Sequence, residues 1–159
     1  MASPQLATFL LLLSGCATSS HHTNQTAIDV LIGYNDAYSS SSGILSRDMC
    51  TTDAFIVKFH LAQEQLTKIG RLAESTDFFR LPRYIDAVSA PDGTITVTAP
   101  CAGYSLDIYH RGQHHRVNWD CSTMPDGSPP PQIAEIFNAV INVLAPAINK
   151  LPASGCRYY

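Results

Sequence analysis

The sequence predicts an α+β domain: an antiparallel sheet of about five or six strands built from hairpins, with two helices packed against it, in the order ββ(β)α-βββ-α. Three observations predict it. Several short stretches alternate apolar and polar residues, which is the period of a half-buried strand. The stretch from Tyr104 to Trp119 repeats that alternation on both sides of Arg111-Gly112, as a hairpin would. Two longer segments, from about Leu61 to Ser75 and from about Pro131 to Pro146, carry apolar side chains at helical spacing.

Along the chain, Ile28, Val30, Ile32 and Tyr34 point one way with Asp29 and Asn35 opposite, a half-buried first strand. Ser39-Ser40-Ser41-Ser42-Gly43 then makes a turn. It is not a nucleophile elbow, because that motif needs Gly-x-Ser-x-Gly between a strand and a helix. Ile44-Leu45 opens a second strand running toward Cys50, and a third covers Phe55 to Phe59. The first helix places Ala62, Leu66, Ile69 and Ala73 on one face, with Gln63, Glu64, Lys68 and Arg71 elsewhere; Thr76-Asp77 ends it. The apolar exit Phe78-Phe79-Arg80-Leu81-Pro82 is expected to clamp the helix onto the sheet, since large aromatics usually fill cores.

Residues 83–93 read as an irregular connection closing on the turn Pro91-Asp92-Gly93, before a β-branched strand Thr94-Ile95-Thr96-Val97-Thr98. In the hairpin, pairing Leu106 with Val117 sets Tyr104 beside Trp119 and Ile108 beside His115. A one-residue slip would throw the apolar sets onto opposite faces. His110, His114 and His115 cluster around its turn without a carboxylate or thiol at fixed spacing, so the expectation is a surface hairpin tip decorated with imidazoles, not a metal centre. After a polar loop, Ser128 is a candidate cap for the second helix, with proline tolerated in its first turn. Ile133, Ile136, Phe137, Val140, Ile141 and Leu144 form its apolar stripe, which reads as core-facing, and Pro146 kinks or stops it.

With 14% charged residues and a formal net charge of −3, the chain has no basic run and no electrostatic footprint for nucleic acid. Near the start, the apolar run Ala7–Leu13 is too short to cross a bilayer and suits a signal-peptide core. Leu13-Ser14-Gly15-Cys16 follows it and resembles the lipobox of bacterial lipoprotein precursors, although Met1–Gln5 holds no Lys or Arg; the competing reading is an ordinary secretory signal containing a Cys. The lipobox resemblance implies cleavage before Cys16 and diacylglycerol on its thiol, and Ala17 in the next position implies the outer membrane. The chain then divides into a signal peptide (1–15), a lipidated Cys with a polar tether (16–26) and one α+β domain (27–159). His21-His22 on that tether lacks further ligand spacing and reads as solvated.

Cys50, Cys101, Cys121 and Cys156 remain after the anchor. An even number in an exported chain reads as two disulfides, with three connectivities open. Cys101–Cys121 is favoured because the two flank the hairpin one residue out of register. Cys50 and Cys156 would then join an early strand to the C-terminal tail. No CxxC or zinc-ligand spacing is present, and no metal or cofactor is expected.

The element order, together with Leu66-Thr67-Lys68-Ile69, Leu72, Phe78-Phe79-Arg80-Leu81-Pro82, Tyr104-Ser105-Leu106-Asp107-Ile108, His115-Arg116-Val117 and the Pro-led helix, resembles the emfourin family of small bacterial proteins. The resemblance spans most of residues 28 to 144. It implies a protease-binding role, since emfourins inhibit thermolysin-type metalloproteases. The family's first turn looks like Ser-Gly-Gly-Phe-Ala, and here Ser39, Ser40, Ser41, Ser42 and Gly43 stand there as the candidate binding residues. No spacing forces a nucleophile, base and acid together. The expectation is therefore a lipid-anchored binding module of the cell envelope without catalytic chemistry. Its partners would be the membrane, through Cys16, and a protein. An emfourin-like metalloprotease inhibitor is the specific alternative, and a structural envelope component or a hydrolytic enzyme are the others.

Overall fold

The computed structural model describes residues 25–51, 53–86, 101–123 and 128–156. Its elements are β1 (Thr26–Ile32), β2 (Asp36–Ser39), β3 (Ile44–Arg47), β4 (Phe55–Lys58), α1 (Gln63–Ser75), β5 (Gly103–His110), β6 (Gln113–Asp120) and α2 (Pro131–Ile148). The strands form one six-stranded sheet in the order β4-β3-β2-β1-β5-β6, antiparallel at every pair. With two helices on it, this is the α+β architecture the sequence predicts. The predicted signal peptide, Cys16, most of the tether and the strand Thr94–Thr98 lie outside the described residues.

The hairpin has the predicted register, with Leu106 opposite Val117, Tyr104 opposite Trp119 and Ile108 opposite His115. Gly112 supplies a positive φ at its turn. Alternation then sends Leu106, Ile108, Val117 and Trp119 into a core where each is almost fully buried. Complete burial of one such side chain stabilises by about 1.5–3 kcal/mol. Trp119 stacks on Tyr104 and meets Phe137 of α2 edge-on at 5.0 Å between ring centres, which ties the hairpin to the second helix.

The first strand is shorter than its alternation suggests. It folds back at Gly33-Tyr34-Asn35, where Gly33 has φ +65°, and an additional strand, β2, precedes the serine turn. Tyr34 therefore sits in the turn and not on the strand face. A partly buried ion pair holds β2 to β3: Arg47 Nε and one terminal amine donate to the two oxygens of Asp36, both at 2.6 Å. Asp36 faces inward at 7% exposure, and Tyr38 beyond it is 2% exposed.

Helix α1 begins after Ala62, whose N–H is accepted by Gln65 Oε1 at 2.9 Å, and buries Leu66, Ile69, Gly70 and Ala73. Thr76 closes it, donating its hydroxyl to the Leu72 carbonyl. Phe78 then enters the core, edge-on to both Phe79 and His115, as the clamp the exit sequence suggests.

Helix α2 starts with Pro131, and its N-cap is Pro130 without a side-chain cap bond, so Ser128 does not serve as the cap. Pro146 falls in the last turn without stopping the helix, which runs two residues further although Pro146 has no N–H to give the Asn142 carbonyl. The helix is long and apolar enough to cross a membrane by length and composition, but Ile133, Ile136, Val140 and Leu144 are spent on the sheet, each at most 1% exposed.

Two disulfides staple the domain, Cys101–Cys121 and Cys50–Cys156, with Cα separations of 5.2 and 5.0 Å. The one-residue offset of Cys101 and Cys121 is absorbed because neither lies within a strand; Cys121 sits in a short 3₁₀ turn and its N–H bonds the Ala102 carbonyl. Around the second bridge the C-terminal tail lies along the β2–β3 end of the sheet. Arg47 reaches the Pro152 carbonyl, and Ser154 Oγ accepts from Asn35 Nδ2 and donates to the Asp48 carbonyl. Replacing Cys50 and Cys156 together by Ser is expected to leave the sheet folded but to lower unfolding stability by about 2–4 kcal/mol, the usual range for closing a long loop. Denaturant titration with hydrogen exchange checks this, and exchange should rise first in residues 150–156.

Candidate functional site

Among the described residues, the helices cover one face of the sheet and leave the other open. Strand alternation places Asp29, Leu31, Ala37, Ser39, Ile44, Ser46, Ser105, Asp107, Arg116 and Asn118 on that open side. Across the strands, Ser39, Asp29, Asp107 and Arg116 are successive partners in one row, and Ala37, Leu31, Ser105 and Asn118 in the next. The small side chains Ala37, Ser39, Ser46 and Ser105 leave a shallow cleft of about 310 Å³ between them, with Leu31 at its rim. Asp107 organises one side of it. Its carboxylate accepts from His114 Nε2 at 2.7 Å and from Arg116 Nε at 2.8 Å.

The five residues of the serine turn stand together at the other side. Ser40 is bonded twice to β1: its N–H donates to the Ile28 carbonyl and its Oγ accepts the Ile28 N–H at 2.8 Å. Ser39 Oγ and Ser41 Oγ share a hydrogen bond, and Ser42 Oγ donates to the Ser39 carbonyl. Gly43 has φ +63°, a left-handed conformation that selects glycine, and the exposed His60 imidazole lies over it. The turn is thus held rigidly from beneath while Ser41 and Ser42 are exposed, and Ser39 and Ser42 line the cleft.

The three hairpin histidines do not share one environment. His114 is on the open face. His115 lies on the helix side, half-buried, with Nε2 bonded to the Leu81 carbonyl at 2.8 Å. His110, expected at a solvated tip, is 1% exposed beneath α1. The reason is Gly70: a Cβ in its place would occupy the volume of the His110 ring. A glycine in the middle of a helical pattern was the signal for this close approach.

Thr26 Oγ1, His110 Nδ1 at 2.7 Å and Glu74, 3.7 Å from Nε2, follow the order hydroxyl, imidazole, carboxylate. This is not an assembled nucleophile. The Glu74 contact is too long for a hydrogen bond, and Thr26 is 2% exposed, beyond a substrate's reach. The serines of the turn spend their hydroxyls on one another and on backbone. Among the described residues, the group of His, Cys, Asp or Glu with metal-ligand proximity is Asp48, Cys50 and Cys156, and its two sulfurs are already bonded to each other.

Burial lowers the His110 pKa below the ordinary value; Glu74 opposes the shift, while Arg111 and Arg71 add to it. A depressed folded-state pKa means that the unfolded chain binds the proton more readily. His110 therefore favours the fold above its unfolded pKa, about 6.5, and that contribution is lost as pH falls through this value toward the folded one. Thermal unfolding followed between pH 8 and 5 should show stability dropping on acidification, with a shallower slope in His110→Gln even though that variant is less stable throughout.

Comparison of the chain with protein-family models, with curated proteins and with solved structures finds no match.

Proposed function

We propose that the chain is a lipoprotein of the bacterial cell envelope, anchored through Cys16 and facing the oxidising space in which its two disulfides form, and that its domain is a binding module without catalytic chemistry. The observation that carries the binding reading is the one-sided sheet. Antiparallel sheets commonly leave one face to solvent, but here that face ends in a turn fixed by the Ser40–β1 bonds and by the left-handed backbone of Gly43. A rigid, exposed turn beside a cleft presents contacts to a protein partner with little ordering cost on binding. The apolar run before Cys16 and the pairing of all four remaining cysteines support the envelope compartment.

Inhibition of a secreted or envelope metalloprotease is the second reading. It rests on the emfourin-like residues in the helix, the Phe78–Pro82 exit and the hairpin, and on the preorganised Ser39–Gly43 turn at the position of that family's first turn. Two measurements test these readings. Intact mass of the chain from host membranes is expected to show a start at Cys16 bearing diacylglycerol; an unmodified Cys16 would remove the anchor. Titration against a thermolysin-type protease should give stoichiometric inhibition under the second reading, weakened at least tenfold by Gly43→Ala. Absence of inhibition rejects the protease reading and leaves the anchored binding module to be tested by its own partner.

A further inference from the structure

The β5–β6 edge of the open face carries a second polar cleft, of about 360 Å³, lined by Arg83, Asp107, His114, His115, Arg116 and Asn118. It lies across the sheet from the serine turn. We propose that this cleft binds an oxyanion, a phosphate or carboxylate group of a small ligand, between the guanidinium groups of Arg83 and Arg116.

The backbone of Arg83 is fixed on the edge of β6. Its carbonyl accepts from both the N–H and the Nδ2 of Asn118, at 2.9 and 3.0 Å. On either side of it, the Leu81 carbonyl is held by His115 and the Ile85 N–H by the Asn118 carbonyl, and the Tyr84 hydroxyl donates to Asp120 at 2.7 Å. This segment is therefore clamped to the strand at successive positions. The Arg83 side chain, by contrast, is exposed and forms no hydrogen bond or ion pair among the described residues.

The opposite wall is preorganised by Asp107, which is 12% exposed. One of its oxygens is taken by His114 Nε2, and the other by Arg116 Nε and a terminal amine at 2.7 Å. Both carboxylate oxygens are thus covered by donors, which leaves the second terminal amine of Arg116 for a ligand. The lining holds two guanidinium charges against one carboxylate, in a chain whose formal net charge is −3. A planar guanidinium pairs bidentately with carboxylate or phosphate, and two of them in one cleft match an anion with several oxygens.

Calorimetric titration of the full chain with inorganic phosphate, and separately with acetate, tests this at an ionic strength held constant with sodium chloride. Saturable binding of either anion is expected, weakened at least fivefold in Arg83→Gln and unchanged in Lys58→Gln at the far edge of the sheet. A greater response to phosphate assigns the ligand class to phosphates, and to acetate, carboxylates. No saturation with either anion, or the same loss in Lys58→Gln, would overturn the site as mere charge screening. Because Arg83→Gln is an exposed substitution, an unchanged unfolding midpoint keeps the comparison clear of folding effects. Neither the Cys16 anchor nor the serine turn enters this test, so its failure would leave those readings standing.

Discussion

The pairing of Leu106 with Val117 is the constraint on which the rest of the domain depends. Because side chains alternate across a strand, that one register decides which residues of β5 and β6 enter the core and which meet solvent. It sends Leu106, Ile108, Val117 and Trp119 toward the helices and Asp107, Arg116 and Asn118 away from them. A slip of β6 by one residue would turn Arg116 and Asp120 inward and expose Trp119. The cost of burying those charges, several kcal/mol each, is what makes the alternative arrangement uncompetitive. β5 also pairs with β1 through Val30–Leu106 and Ile28–Ile108, so the same parity passes to the other half of the sheet.

Both halves of the open face follow from that parity. The serine turn is attached to β1 by two hydrogen bonds at Ile28, and the Asp107 scaffold stands on β5 one strand away. Covering one face with α1 and α2 supplies the apolar burial, while the second face is free to carry polar and small residues that would be unacceptable in a core. The disulfides act at the margins of this arrangement. One closes the base of the hairpin and the other pins the tail near β3, where Arg47 already holds Asp36 and the Pro152 carbonyl. A 3₁₀ turn at Cys121 and an irregular tail at Cys156 are places where a bridge can form without disturbing strand register.

Much of this was legible in the sequence because it is local and periodic. The hairpin register, both amphipathic helices, the aromatic clamp at Phe78 and the favoured cysteine pairing all rest on spacings that the chain displays directly. What escaped was set by contacts between distant residues. No local spacing shows that Arg47, eleven positions on, satisfies Asp36 in a partly buried pair, and the strand β2 that carries Asp36 was missed. His110 looks like a surface residue until Gly70 of α1 makes room for its ring and Thr26 of β1 satisfies Nδ1. Arg83 sits in a stretch without periodicity; only the backbone bonds to Asn118 bring it beside Arg116 and His114. The serine turn could be named as a turn from its composition, but the bonds that tie Ser40 to β1 needed the fold.

The central claim, that one register divides this sheet into a core face and an open polar face, is tested most directly by nuclear Overhauser contacts in the oxidised protein. The account predicts cross-strand contacts of Leu106 with Val117 and of Asp107 with Arg116, and contacts from the Trp119 indole to Phe137 of α2. Contacts pairing Leu106 with Arg116 or Asn118, or a Trp119 ring without contacts to α2, would contradict it. In that case neither the open cleft nor the arginine pair at its edge would exist as described.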